Sequence, residues 1–252
     1  MGFRKLIGGV LVLLMGTAAS AGAMGIEAAV GGWIHEPRGT IADGPDSLNL
    51  ESELRYDKET RVTGRVKIET PLFFPNIYLM ATPMEFEGDG NKAANFTFGD
   101  VTFNANVPFT SKVTLDHYDV GLYWGVPLLK TASAGILNVD LGLNARIVDL
   151  KTEINQPATG FSESDSVVAP IPMVYVGVQV KPVSWFAVEG EGRGITYSKN
   201  HYFDLIARGK LIFFDHVFAA AGYRYEKVDI DQDDIRVDTN FGGPFAEVGF
   251  QF

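Results

Sequence analysis

The chain has four histidines, His35, His117, His201 and His216. Two of them stand near partners that catalysis could use. His117 has Asp116 and Asp119 beside it, and His201 has Ser198 and Asp204 within a few positions. A histidine poised by a carboxylate can take a proton from water or from a serine hydroxyl, the first step of hydrolysis of a lipid or peptide bond. No nucleophile motif accompanies either histidine, and Asp119 and Asp204 serve equally well as partners for arginines, so the expectation is a protein that is not an enzyme, with a hydrolase as the alternative. Carboxylates crowd two further segments, one holding Asp229, Asp231, Asp233, Asp234 and Asp238 and the other Asp43, Asp46, Glu51, Glu53, Asp57 and Glu59. Such oxygens suit Ca²⁺ or Mg²⁺, yet the Asp229, Asp231, Asp233 spacing lacks the glycine and closing glutamate of an EF-hand loop. A solvated acidic face accounts for them, a surface role in adhesion or cation binding is the alternative, and neither metal nor cofactor is expected. With no cysteine, disulfides and thiolate metal sites are excluded.

The elements that would carry these residues read as strands. Ten segments of about 9 to 11 residues alternate in polarity, the length a tilted membrane-crossing strand needs. In residues 25–35, Ile26, Ala28, Val30 and Ile34 share one face and Glu27, Ala29, Gly31 and Trp33 the other. In 61–70, Val62, Val66 and Ile68 oppose Arg61, Arg65, Lys67 and Glu69. Residues 76–87 are apolar on both faces, which leaves their orientation open. The clearest alternation is in 118–126, where Tyr118, Val120, Leu122, Trp124 and Val126 oppose Asp119, Gly121, Tyr123 and Gly125, and in 137–148, where Leu137, Val139, Leu141, Leu143, Ala145 and Ile147 oppose Asn138, Asp140, Gly142, Asn144 and Arg146. Four later segments repeat the rule around Val174 to Val180, Phe186 to Arg193, Phe203 to Leu211 and Val217 to Glu226. The last closes with Ala246, Val248, Phe250 and Phe252 on one face and Glu247 on the other.

A barrel hides its apolar content in this way, one lipid-facing residue for each lumen-facing one. The expected fold is all-β, a transmembrane up-and-down antiparallel barrel of ten strands, or of eight with extracellular hairpins. Short connections at 72–75, 128–134, 182–184 and 214–215 interleave with long ones at 36–60, 88–110, 150–166 and 229–240, the short-turn, long-loop rule of such barrels. The segments around 48–56 and 96–106 themselves alternate and read as hairpins. Pro170, Pro172 and Pro83 lack amide donors, and mark either an opening between strands or positions beyond the ladder. Residues 1–23 carry Arg4 and Lys5, an apolar run and small residues, the pattern of a cleaved signal peptide, leaving 24–252 as one domain. The net charge of −10 (21 cations, 31 anions) becomes −12 without Arg4 and Lys5 and argues against nucleic acid.

The chain resembles a family of small Gram-negative outer-membrane β-barrel proteins marked by a glycine pair in the first strand, here Gly31-Gly32-Trp33. It shares Glu69-Thr70-Pro71-Leu72 with Pro75-Asn76, Phe96-Thr97-Phe98-Gly99, His117-Tyr118-Asp119, Asn200-His201-Tyr202 and Gly222-Tyr223-Arg224-Tyr225. More distantly the plan is similar to outer-membrane protein W, a small barrel proposed to pass apolar compounds. The resemblance implies a bacterial outer-membrane location, lipid and lipopolysaccharide as surroundings, handling by the barrel assembly machinery and a monomer.

If this is such a barrel, the inward positions hold Arg65, Lys67, Arg146, Lys181, Arg193, Arg208, Lys210 and Arg224 against Glu69, Asp119, Asp140, Glu189, Glu191, Asp204, Glu226 and Glu247. Eight cations match eight anions, so the lumen is expected to be plugged by a salt-bridge network, with a structural role or a passive one in uptake of small molecules, apolar ones among them. Tyr118, Trp124, Tyr223 and Tyr225 are expected in the aromatic girdles. Phe250 and Phe252 are expected to serve as the assembly signal of the closing strand.

Overall fold

The computed structural model describes residues 24–252 apart from 44–45, 72 and 233–234. The expected signal peptide, Leu72, Asp233 and Asp234 lie outside the described residues. Among the described residues fourteen strands are present: β1 (Gly25–Asp43), β2 (Asp46–Asn49), β3 (Glu59–Glu69), β4 (Asn76–Thr82), β5 (Glu85–Gly90), β6 (Phe96–Phe98), β7 (Val101–Phe103), β8 (Phe109–Gly125), β9 (Leu137–Gln156), β10 (Phe161–Val183), β11 (Phe186–Tyr197), β12 (Asn200–Phe213), β13 (Val217–Gln232) and β14 (Ile235–Gln251). A single helical turn, Leu129–Ala132, joins β8 to β9. Twelve strands share one sheet, which β14 closes by pairing with β1, while β6 and β7 form a separate hairpin. β2 only thickens the far end of β1. β5 prolongs β4 past Pro83 without change of register, Thr82 facing His117 and Glu85 facing Thr114 on β8. The wall therefore has ten antiparallel positions, and the eight-stranded alternative is excluded.

Alternation places the side chains. On β9, Leu141 and Leu143 are 50% and 67% exposed, while Asn144 and Arg146 are buried. The same parity exposes Val30, Val62, Leu122, Val174, Leu205 and Val248 around the whole circumference. So large an apolar belt on an unpartnered surface is what a bilayer covers. The orientation left open for residues 76–87 is resolved: Tyr78, Met80, Thr82, Met84 and Phe86 turn inward, and Leu79 is among the outward residues.

Toward the end away from the chain termini the phase of this alternation inverts. On β8 the apolar residues from Tyr118 to Trp124 face outward, whereas Phe109, Val113 and Leu115 occupy the inward positions and Thr110, Lys112 and Thr114 the outward ones. β9 repeats this, with Val148 and Ile154 buried inside and Lys151, Glu153 and Asn155 exposed outside. Above the belt the wall is thus an ordinary water-soluble sheet with its apolar face inward. The long connections expected at 36–60, 88–110, 150–166 and 229–240 are therefore largely strand. The β9–β10 hairpin runs in unbroken register to Gln156 opposite Phe161, and β13 with β14 to Gln232 opposite Ile235. The hairpin expected at 96–106 is β6 with β7. The one expected at 48–56 is corrected: β2 pairs back onto β1, and the chain then winds through turns, Glu53 and Leu54 donating to the Asn49 carbonyl and Tyr56 to that of Leu50.

Candidate functional site: the closed lumen

Two layers fill the interior. Within the belt, seven cations (Arg65, Lys67, Arg146, Arg193, Arg208, Lys210, Arg224) meet seven anions (Glu27, Asp119, Glu189, Glu191, Asp204, Glu226, Glu247), and every one of the fourteen has an opposite partner within 4.0 Å. Arg146 is the hub of one group. Its Nε and Nη2 donate to the two Asp119 oxygens at 2.9 Å each, its Nη1 to Glu226 at 3.2 Å, and it also pairs with Asp204. Arg224 donates to both Asp204 oxygens, at 2.9 and 2.8 Å, and to Thr82 Oγ1 at 2.9 Å. Arg65 is the hub of the other group, holding Glu27 at 2.5 Å and Glu247 at 2.7 Å. Gly31 makes this possible, because a Cβ there would stand 2.3 Å from the Ala246 carbonyl oxygen and 2.7 Å from the Glu247 Cβ.

Aromatic faces line the network, with Arg193 Cζ 4.6 Å from the Tyr78 centroid, Arg146 Cζ 5.0 Å from that of Tyr202 and Arg224 Cζ 4.5 Å from that of Trp33. Charges removed from water persist only when paired and hydrogen-bonded in this way. Beyond Trp33 the filling changes to hydrocarbon. Leu48 from β2, Leu50, Leu54 and Tyr56 from the segment after it, Met84 and Phe86 from the β4–β5 run, Phe96 and Phe103 from the small hairpin, and Phe109, Ile154 and Phe241 from the wall form one buried cluster. The Phe96 ring lies 5.1 Å from both Phe103 and Phe109.

Of the sixteen lumen charges expected, thirteen are in this network. Lys181, Glu69 and Asp140 are not: among the described residues none of them makes an ion pair, and they lie toward the chain-terminus end. Glu27 belongs to the network instead. It already occupied an inward position in the alternation, and its register opposite Lys67 on β3 was the missing information.

Neither histidine constellation is assembled. His117 is fully buried, with its Nε2 3.1 Å from Arg224 Nη2 and 3.5 Å from Glu226; Asp119 is held by Arg146 and by Asn144 at 2.6 Å. Asp116 has the opposite parity, and its carboxylate accepts from the Met84 amide. His201 hydrogen-bonds with Thr196 Oγ1 at 3.2 Å on the outer face, whereas Asp204 points into the lumen. His35 is buried between Trp33 and Phe86, and His216 stacks on Phe252 at 5.4 Å. The acidic segments are dispersed. Glu53 accepts from the Asn49 amide, Asp46 from that of Thr97, and Asp231 and Asp238 face Lys199 and Lys227. Among the described residues no group of three or more His, Asp or Glu side chains is placed to hold a metal ion.

Tyr118, Trp124, Tyr223 and Tyr225 occupy outward positions, and Trp124 Nε1 donates to the Phe73 carbonyl at 3.1 Å. Phe250 and Phe252 are exposed, and Phe252 exchanges backbone hydrogen bonds with Ile26 at 2.9 and 3.2 Å.

Among the described residues the ladder lapses between β3 and β5, where β3 pairs with β4 only from Gly64 onward and β5 pairs only with β8, and a second seam lies between β10 and β11. β10 pairs with β11 only up to Val174 opposite Gly194, while its other side stays paired with β9 through Pro170 and Pro172. Because the β9 ladder is unbroken, the missing proline donors must be those aimed at β11, so pairing on that side cannot continue. Met173 and Tyr202 are buried in the apolar cluster behind the seam, with Ile171 and Ile195 packed against them.

No family model and no curated protein matches the chain. Among solved structures it is similar to the outer membrane protease OmpT of Escherichia coli, at 7% identity and a TM-score of 0.58 over 90% of this chain and 97% of that one. Lower scores are found with the translocator domain of the autotransporter NalP of Neisseria meningitidis (11% identity, 99% of this chain, 96% of that one, TM-score 0.44) and the attachment invasion locus protein Ail of Yersinia pestis (10%, 90%, 98%, 0.38). At such identities it is the fold that is shared, and that fold is a closed barrel of the outer-membrane kind.

Proposed function

We propose that this protein is a monomeric bacterial outer-membrane barrel that does not conduct ions, serving as a structural element of the envelope whose walls stand above the lipid. The observation that carries the reading is the doubly filled lumen: a complete seven-against-seven charge network capped by an apolar cluster. An ion crossing it would have to displace paired charges, each removal leaving a partner buried and uncompensated at about 3–5 kcal/mol, and would then meet hydrocarbon. In this reading the termini face the periplasm, lipid surrounds the belt and lipopolysaccharide the phase-inverted wall, and the barrel assembly machinery inserts the chain. Planar-bilayer recording tests it. The purified protein is expected to give no stable conductance, and steps of nanosiemens size would overturn the proposal.

The β10–β11 seam favours a second reading, passive uptake of small apolar molecules. It opens at the outer boundary of the belt onto Met173, Ile171 and Ile195, an apolar surface rather than the charge network. Cells carrying the protein would then accumulate a small aromatic hydrocarbon faster than cells lacking it, and Met173→Trp would remove the difference.

A further inference from the structure

The two lapses in the wall are not alike. Between β3 and β5 the chain fills its own gap: Arg61 Nη2 donates to the Glu85 carbonyl at 2.9 Å, and a Cβ on Gly88 would stand 2.1 Å from the Leu54 carbonyl oxygen. Beyond Val174, among the described residues, no backbone hydrogen bond from another segment reaches the free side of β10. Yet β10 stays paired with β9 as far as Phe161, so it is a regular strand with one edge bare. Pro170 and Pro172 show which residues face the gap. They are the even-numbered ones, so the amides and carbonyls of Ser162, Ser164, Ser166 and Val168 point into it. Val168 lies about 20 Å along the strand from Val174, which sets this stretch above the lipid belt. Both faces are open there as well, Val167 and Val168, of opposite parity, being 51% and 65% exposed. Ser166 shows what the edge lacks. Its amide donates to the adjacent Asp165 carboxylate at 2.7 Å, a local substitute for a strand partner.

We propose that the bare edge of β10, from Ser162 to Val168, binds an extended cationic polypeptide segment by strand addition. The unpaired backbone groups supply the contact, and the charges beside them select the strand. Glu163 and Asp165 lie on one face of β10, and Glu153 of β9, directly opposite Ser164, lies on the other; among the described residues none of the three makes an ion pair. Lys151, opposite Ser166, is already held by Asp149 at 3.3 Å. Lysine or arginine side chains on one face of the added strand would stand beside Glu163 and Asp165, whereas an acidic strand would be repelled and a neutral one would leave the carboxylates unmatched. A second copy of this chain is disfavoured for the same reason. Two-fold pairing centred on Ser164 sets Glu163 against the second copy's Asp165, and pairing centred on Asp165 sets that residue against itself; like charges directly opposite are destabilising. Pro170 and Pro172 end the site, because they offer no donor to an added strand and hold it away from the belt. The site does not depend on whether the lumen conducts.

Fluorescence anisotropy of the folded full chain in non-ionic detergent, with a labelled, end-blocked peptide of four lysine–valine repeats, tests it. Binding is expected in low salt. It should be weakened about tenfold by Ser164→Pro, which removes one amide aimed at the gap and leaves the β9 side intact, and at least tenfold by Glu163→Gln combined with Asp165→Asn. The same peptide N-methylated at every residue keeps its charge but has no backbone donor, and should bind at least tenfold more weakly. The peptide with glutamate in place of lysine should not bind. Wild-type protein that takes up no lysine–valine peptide, or takes up the N-methylated one equally well, would overturn the proposal whether or not the variants fold; the second result would leave a charged surface without strand addition. Unchanged affinity in a folded Ser164→Pro protein would do the same.

Discussion

Arg224 and Trp33 meet face to face where the two fillings of the barrel join, the guanidinium carbon 4.5 Å from the indole centroid. On one side Arg224 is tied to Asp204, Glu226 and Thr82. On the other Trp33 packs against His35, whose ring centroid is 4.5 Å away, and donates its Nε1–H to the Gly243 carbonyl at 3.2 Å. A single side chain thus has an apolar cluster above it and a charge below it.

Trp33→Ala should therefore be costly in both layers. Deleting a buried tryptophan costs about 3–5 kcal/mol, and the buried Arg224 guanidinium loses a cation–π partner worth about 2 kcal/mol when desolvated. The expected result is a lower unfolding temperature on heat-modifiable electrophoresis and the appearance of small conductance steps. Trp33→Phe should retain most of both properties.

Arg146 is the stricter test of the network. Arg146→Met leaves Asp119, Asp204 and Glu226 short of a shared donor, so the expected loss is about 3–5 kcal/mol, read as a shifted urea midpoint. Adding Asp119→Asn should restore part of it, since the carboxylate that depends most on Arg146 is then neutral.

The β10–β11 seam makes a prediction about amides. Residues 195–197 of β11 are paired with β12 but have no β10 neighbour, and residues 167–173 of β10 are an edge on the same side. Amides there that do not point at β9 or β12 should exchange with deuterium markedly faster than those of residues 188–192, which are paired on both sides. Equal protection across the two stretches would show that the strands close in the membrane.

These particulars also show what the chain spells out and what it hides. Lipid-facing positions were legible because the bilayer imposes one rule, as in Leu137 to Ile147. The wall above the belt was not, since the apolar phase switches faces between Leu115 and Tyr118 on β8, and a switch of phase in a window of ten residues reads as a loop. Residues 76–87 were ambiguous because Tyr78 and Met80 pack an apolar floor inside while Leu79 meets lipid outside. The charge network was legible in kind, but which charges meet depends on shear around the barrel. Asp140 and Lys181 therefore looked like members, and Glu27, inserted between Arg65 and Lys210, did not.

Phe252 exchanges two backbone hydrogen bonds with Ile26 and stacks on His216, so it pins the closing strand to the first at the chain-terminus end. We expect its deletion to slow assembly and leave unfolded chain on heat-modifiable gels, with the properties of whatever fraction does fold unchanged. Normal accumulation in the membrane would remove it from the assembly signal.

Tyr56 gives the apolar cap a dependence on pH. Burial in the cluster above the belt pushes its phenol up to about 12, Ser111 offsetting a little of this. An unfolded tyrosine ionises near pH 10, so between about pH 10 and 12 the opened segment gives up a proton that the closed cap retains. The cap's stability from this residue is complete below pH 10 and falls as pH rises, by about 1.4 kcal/mol per unit. Exchange or proteolysis of residues 49–58 should accelerate over that range and not below it. Tyr56→Phe should flatten the profile, because phenylalanine fills the same site without a proton to lose. An unaltered profile in that variant would assign the alkaline opening to another group.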